Sequence, residues 1–155
     1  MSKSSLDTLI ELASDARNEA AQLLASERNN SQLAAAQLSA LEGYRNEYMM
    51  QLQTVMDEGL DLATLQNYQA FLASLEKAIS QARDGLKYQE QKVVNCQQNW
   101  QQEQRKLSSY DMLRLRRKEQ LRQQERRQES RANDEISANF MQRTREQQLQ
   151  TSTED

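Results

Sequence analysis

Few residues in this chain could do proton or covalent chemistry. Among its 155 residues there is no His, one Cys and no Pro. Without imidazole, no side chain changes charge near neutral pH at its ordinary pKa, and the commonest zinc ligand is missing. The glycines Gly43, Gly59 and Gly85 stand far apart, so neither the phosphate-binding loop nor the dinucleotide fingerprint can be built. Carboxylates are abundant, but they sit beside cations on what read as solvated helix faces, as in Glu76–Lys77 and Glu90–Lys92. Cys96 and Trp100 fall on an apolar seam, where packing accounts for both. A reactive thiolate needs an exposed, electropositive setting that this spacing does not give Cys96. The chain is therefore not read as an enzyme, and no cofactor or metal is expected. Its chemistry should be that of a surface offered to partners.

Three groups of residues have the types and spacing for that. Phe71, Leu75, Ala78 and Ala82 follow an i, i+4, i+7, i+11 course, an apolar stripe along one edge of a helix. Such a stripe either widens the core or docks a partner, and Phe71 is expected to stay partly exposed. Tyr44 and Tyr48 lie one helical turn apart. They form a second possible partner face, with seam packing the plainer reading, since Tyr48 is in phase with Leu41 and Val55. Third comes the basic run Arg114, Arg116, Arg117, Lys118, Arg122, Arg126 and Arg127. A solvated helix, an acidic protein partner, and nucleic acid or membrane are its three readings. The last is disfavoured by the interspersed Glu119, Glu125 and Glu129 and by the lack of interleaved aromatics.

The element that must position these residues is a long helix. Every seventh residue from Leu65 gives Leu65, Leu72, Ile79, Leu86, Val93, Trp100 and Leu107; the companion series is Tyr68, Leu75, Ala82, Gln89, Cys96, Glu103 and Tyr110. A seam sustained at this heptad spacing lays one helix along another in a left-handed supercoil. A partner precedes it in the chain. Leu6, Leu9 or Ile10, Ala13, Ala16, Ala20 and Leu23 or Leu24 mark a stripe that fades through Asn29, Asn30 and Ser31. It resumes at Ala34, Leu38, Leu41, Tyr44, Tyr48, Leu52 and Val55. The Asn-Asn-Ser zone is the expected place for a bend or fraying. Residues 2–5 read as a polar lead-in, with Ser4 or Ser5 as N-cap.

The spacing thus predicts an all-α chain, one long antiparallel two-helix coiled coil. Helix 1 covers about 6–57, a loop about 58–64, and helix 2 about 65–146. Gly59 is placed to end the first helix with positive φ and Thr64 to cap the second. A short connection makes the helices antiparallel neighbours, with Val55 near Leu65, Leu52 near Tyr68 and Leu41 near Ile79. Beyond about residue 115 the first helix has run out, so 116–155 is a basic tail without an internal partner, and TSTED at 151–155 reads as disordered. The whole forms a single elongated domain with no internal repeat.

Composition narrows the function classes further. Apolar residues make up only 37% of the chain and are gathered into stripes, which suits a thin seam better than a layered core. No run is long and apolar enough to span a membrane, and the N-terminus does not resemble a signal peptide. A lone Cys gives no sign of an oxidising compartment. The cytoplasm is the expected location. A net charge of -3 argues against wholesale nucleic-acid binding. Two other functions fit the residues alone: a structural coiled coil that pairs with itself through its seam or tail, and a basic-tail binder of nucleic acid or anionic membrane.

Three runs narrow this further. LEGYRNEY at 41–48, NYQAFLASLEKAI at 67–79 and QKVVNCQQNWQQEQRKL at 91–107 resemble the FliJ family of the bacterial flagellar type III export apparatus. The resemblance covers roughly residues 6–115; the tail is similar in character only. It implies an antiparallel coiled coil likened to the shaft of rotary ATP synthases. The open end, carrying both termini, would insert into the hexameric ring of the export ATPase and promote its assembly. It further implies contacts with the cytoplasmic domain of the export-gate membrane protein and with flagellar substrate chaperones, and a place at the inner membrane held through partners. The family's gate-binding surface falls here on Phe71, Leu75 and Ala78. Its fourth position, commonly His, is Ala82 in this chain, which removes a polar contact there.

Overall fold

A computed structural model describes residues 4–154. Helix α1 spans Ser5–Glu58 and helix α2 spans Leu62–Thr153, and the two pack on each other as a hairpin. Of the polar lead-in, Ser2 and Lys3 lie outside the described residues. Ser4 is the N-cap: its hydroxyl accepts from the Asp7 amide at 3.2 Å, and the Asp7 carboxylate accepts from the Ser4 amide at 3.3 Å. This reciprocal box satisfies two backbone donors that a helix start leaves orphaned.

The turn is tighter than the sequence suggests. Gly59, Leu60 and Asp61 alone separate the helices. Gly59 takes φ 95°, as expected, but with ψ 119° rather than the left-handed helical value, and its N–H donates to the Met56 carbonyl at 3.3 Å. Thr64 does not cap α2. Asp61 occupies that place in extended backbone, makes no side-chain cap bond, and its carbonyl accepts from Leu65 N–H at 3.1 Å. Three residues suffice because the seam begins almost at once, leaving no slack for the longer loop.

Cross-helix contacts set the register. Arg45 meets Glu76, Glu42 meets Arg83, Glu27 meets Gln89 and Arg17 meets Gln104. As one number falls its partner's rises, and each pair is roughly symmetric about the turn. That is the antiparallel matching expected of Leu41 opposite Ile79 and its neighbours. The helix runs unbroken through Asn29–Ser31.

On both helices the sheltered positions alternate three and four residues apart. On α2 they are chiefly the two expected series, from Leu65 to Tyr110, with Ile79 and Leu107 buried. On α1 they are Leu6, Ile10, Ala13, Arg17, Ala20, Leu24, Glu27, Ser31, Ala34, Leu38, Leu41, Arg45, Tyr48, Leu52 and Val55. The ambiguous choices resolve to Ile10 and Leu24; Leu9 and Leu23 are 43% and 50% exposed. Tyr44 is not on the seam. It is 61% exposed, and Arg45 takes the position, its side chain 22% exposed with the guanidinium 3.4 Å from Glu76. A long aliphatic stem can line the seam while its charged end reaches out.

Polar residues interrupt the seam where the α1 stripe fades. Gln89 donates to the Glu27 carboxylate and, at 3.3 Å, to the Glu27 carbonyl. Nearer the open end, within the apolar part of the stripe, Arg17 donates to Gln104, the neighbour of seam residue Glu103, at 3.4 Å. Such layers lower stability and fix register. From Met112 onward every described residue is exposed. The tail is nonetheless helical as far as Thr153, so Thr151–Thr153 belong to α2 and not to a disordered end. No helix among the described residues is long and apolar enough to cross a membrane.

Candidate partner-binding surface

The surface is built around Tyr48. Its ring lies 5.0 Å from Tyr68 at 39° and 4.3 Å from Phe71 at 44°, centroid to centroid. These tilted geometries suit the aromatic quadrupole and add about 0.5–1.5 kcal/mol per pair beyond area burial. Tyr48 and Tyr68 hold seam positions, which is why they meet. Phe71 precedes the seam residue Leu72 by one and so flanks the seam; it packs one face on Tyr48 and leaves 46% of its surface exposed.

From Phe71 the stripe runs along α2. Leu75, Ala78 and Ala82 are half-buried. Leu75 and Ala82 belong to the seam itself, whereas Ala78, like Phe71, stands one residue ahead of it. Small side chains here leave a groove of about 470 Å³ between the helices, bordered by Ala78, Ala82 and Gly85 on α2 and by Ala34, Gln37 and Leu41 on α1. Ala34 and Leu41 belong to the expected α1 stripe, whereas Gln37 and Gly85 carry no such mark in the sequence, because they matter only once a helix lies opposite. Glu76 and Arg83 follow seam residues by one, so the cross-helix pairs Arg45–Glu76 and Glu42–Arg83, at 3.4 and 3.1 Å, line the opposite edge. One edge of the seam is thus aromatic and small-apolar, the other ionic.

The two tyrosines divide their work. Tyr48 is held inside the hairpin, while Tyr44 stands exposed one turn away, on the same helix. Tyr68, a seam residue, packs on the Tyr48 ring that in turn meets Phe71.

The basic run is a separate surface. Arg114, Arg116, Arg117, Lys118, Arg122, Arg126 and Arg127 are all exposed along the unaccompanied part of α2. Arg114 pairs with Asp111 at 3.3 Å and Arg122 with Glu119 at 3.2 Å, both within the helix. Exposed i, i+3 pairs of this kind contribute a few tenths of a kcal/mol. Cys96 and Trp100 are half-buried at the seam. Among the described residues no His, Cys, Asp or Glu cluster could hold a metal ion.

The sequence profile of the family described as Flagellar FliJ protein matches residues 2–146. Flagellar FliJ protein of Salmonella typhi is 38% identical over 108 residues, 70% of this chain and 74% of the relative. That of Escherichia coli strain K12 is 37% identical over 108 residues, with the same shares. A match spanning nearly the whole hairpin, on a fold that carries the quoted motif runs along its seam, places this chain in the flagellar FliJ protein family.

Proposed function

We propose that this chain is the stalk of the flagellar type III protein export apparatus. Its family is non-enzymatic, so it works by contact. In this reading the open end of the hairpin, with α2 continuing beyond it, inserts into the export ATPase hexamer and promotes ring assembly and activity. The stripe Phe71, Leu75, Ala78 and Ala82, with Tyr44 beside it, docks on the cytoplasmic domain of the export gate. Substrate chaperones are escorted by the same rod. The protein sits in the cytoplasm, peripheral to the inner membrane through its partners.

The observation that carries this is the half-exposed Phe71 ring. It is braced by Tyr48 on one side and offered to solvent on the other. A rigid aromatic with one free face is what an interface anchor requires. Mechanically, an asymmetric rod inside a ring touches only some subunits at once. It can bias their nucleotide cycle while its middle engages the gate.

The test has two arms. Phe71→Ala should weaken binding to the isolated gate domain by about tenfold or more, as removal of an aromatic anchor does, with helicity by circular dichroism unchanged. A collapse of helicity would make Phe71 structural instead. Adding the wild-type chain to the matching ATPase should raise hydrolysis; an unchanged rate would refute the stalk role.

A further inference from the structure

Beside its seam, α1 carries a second row. Leu9, Leu12, Ala16, Leu23 and Leu33 each precede a seam position by one residue, in a row whose remaining positions are Glu19, Ser26 and Asn30. The leucines are 43%, 61%, 50% and 62% exposed. At the open end this row borders a groove of about 290 Å³ between the helices, closed on the other side by Lys106 and Tyr110 of α2. A row at heptad spacing beside a first seam is what the acceptor face of a third helix looks like.

The chain contains a helix that lacks such a berth. Past Tyr110, α2 continues to Thr153 with every described residue from Met112 onward exposed. At 100° per residue, Leu115, Leu121, Ile136 and Phe140 fall within about a third of its circumference. They are 62%, 57%, 66% and 71% exposed. Because α2 is one unbroken helix leading away from the hairpin, this face cannot fold back on its own α1.

Charge says what could bring the two together. Residues 114–131 carry eight Arg or Lys against Glu119, Glu125 and Glu129, a net of +5. Residues 5–27 of α1 carry Asp7, Glu11, Asp15, Glu19 and Glu27 against Arg17, a net of -4. Both segments flank the open end, one just outside it and one just inside.

We infer that the free protein pairs with a second copy of itself, open end to open end, each α2 tail lying as a third helix along α1 of the other. A two-fold axis across the open ends makes tail and partner α1 run parallel. Sliding the tail so that Arg114 sits beside Asp7 also brings Lys118 beside Glu11, Arg122 beside Asp15, Arg126 beside Glu19 and Phe140 beside Leu33. One offset therefore brings together four charge pairs and one apolar pair, Phe140 with Leu33, and the tail length falls within that of α1. The intrahelical pairs of Arg114 and Arg122 are exposed and exchange readily for these.

Sedimentation of the full chain tests this. A dimer is expected at about 0.1 M salt, weakening at least about tenfold by about 0.5 M. The variant Arg114→Glu/Lys118→Glu/Arg122→Glu/Arg126→Glu should be monomeric, and so should Glu11→Lys/Asp15→Lys/Glu19→Lys, each with unchanged helicity. Mixing the two variants should restore a heterodimer, since every tail then meets an oppositely charged α1. In a Cys96→Ser background, Leu33→Cys protein mixed with Phe140→Cys protein should form the mixed disulfide in preference to either self-disulfide. A wild-type chain that stays monomeric at low salt, variants that still dimerise, or a mixture that does not, would overturn the inference. None of these readouts involves the gate or the ATPase.

Discussion

Tyr48 and Phe71 meet across the hairpin with ring centroids 4.3 Å apart, one closed into the seam and the other half open to water. This division separates stability from binding at a single contact. Phe71→Ala removes one aromatic pair and half a buried ring, which should cost about 1–2 kcal/mol of unfolding free energy. Tyr48→Ala removes both ring contacts and a seam side chain and should cost about 2–4 kcal/mol. Urea denaturation of the two variants checks the order; equal losses would mean that Phe71 contributes to the core as fully as Tyr48.

Glu27 and Gln89 predict the opposite sign. Both hold seam positions and satisfy each other there. Replacing them together, Glu27→Leu/Gln89→Leu, should raise stability by about 1–3 kcal/mol, because apolar residues of similar size pack a seam better than a desolvated polar layer. Glu27→Leu alone should gain less or lose, since Gln89 is left without its acceptor. A double-mutant cycle read by thermal melting measures the coupling. The double variant should also tolerate shifted pairings, visible as broadened distances between spin labels at Leu41 and Ile79.

Gly59 carries the turn. Its φ of 95° is a conformation that side-chain-bearing residues rarely adopt, and nothing lies within 4 Å of where a Cβ would stand. The penalty of Gly59→Ala is thus one of backbone strain and not of collision, about 1–2 kcal/mol. Gly43→Ala, in the middle of α1 and equally free of neighbours, should instead stabilise by about 0.5–1 kcal/mol through helix propensity. Chemical denaturation of the pair separates the two roles of glycine; matching signs would contradict the turn geometry.

The α2 seam was legible residue by residue, since its series from Leu65 is apolar throughout. The α1 seam was legible only where apolar residues mark it. At 44–45 the eye follows Tyr44, but phase selects Arg45, whose stem lies in the seam and whose head reaches Glu76. Strict three–four counting from Leu38 and Leu41 would have found it. The short turn and the Asp61 cap could not be read, because Thr64 is chemically as good a cap and only the start of packing decides between them. The Phe71–Ala82 stripe was visible as a pattern. Its groove was not, because the α1 wall at Ala34 and Gln37 depends on register between segments far apart in sequence.

Leu107 and Leu121 occupy the same heptad phase two repeats apart, yet one is 7% exposed and the other 57%. Only the presence of α1 opposite distinguishes them. Leu107→Ala should therefore cost about 2–4 kcal/mol, since it leaves a cavity in a closed seam, whereas Leu121→Ala should cost less than about 0.5 kcal/mol. The comparison is made at about 0.5 M salt, where screening of tail charges keeps each chain on its own. Hydrogen exchange under the same conditions should show protection falling steeply near residue 115, because a helix without a packed face is only marginally stable in water. Equal costs at the two leucines would mean that the tail has found a partner even in high salt, and that its helix is held by packing and not by the propensity of its Arg, Glu and Gln.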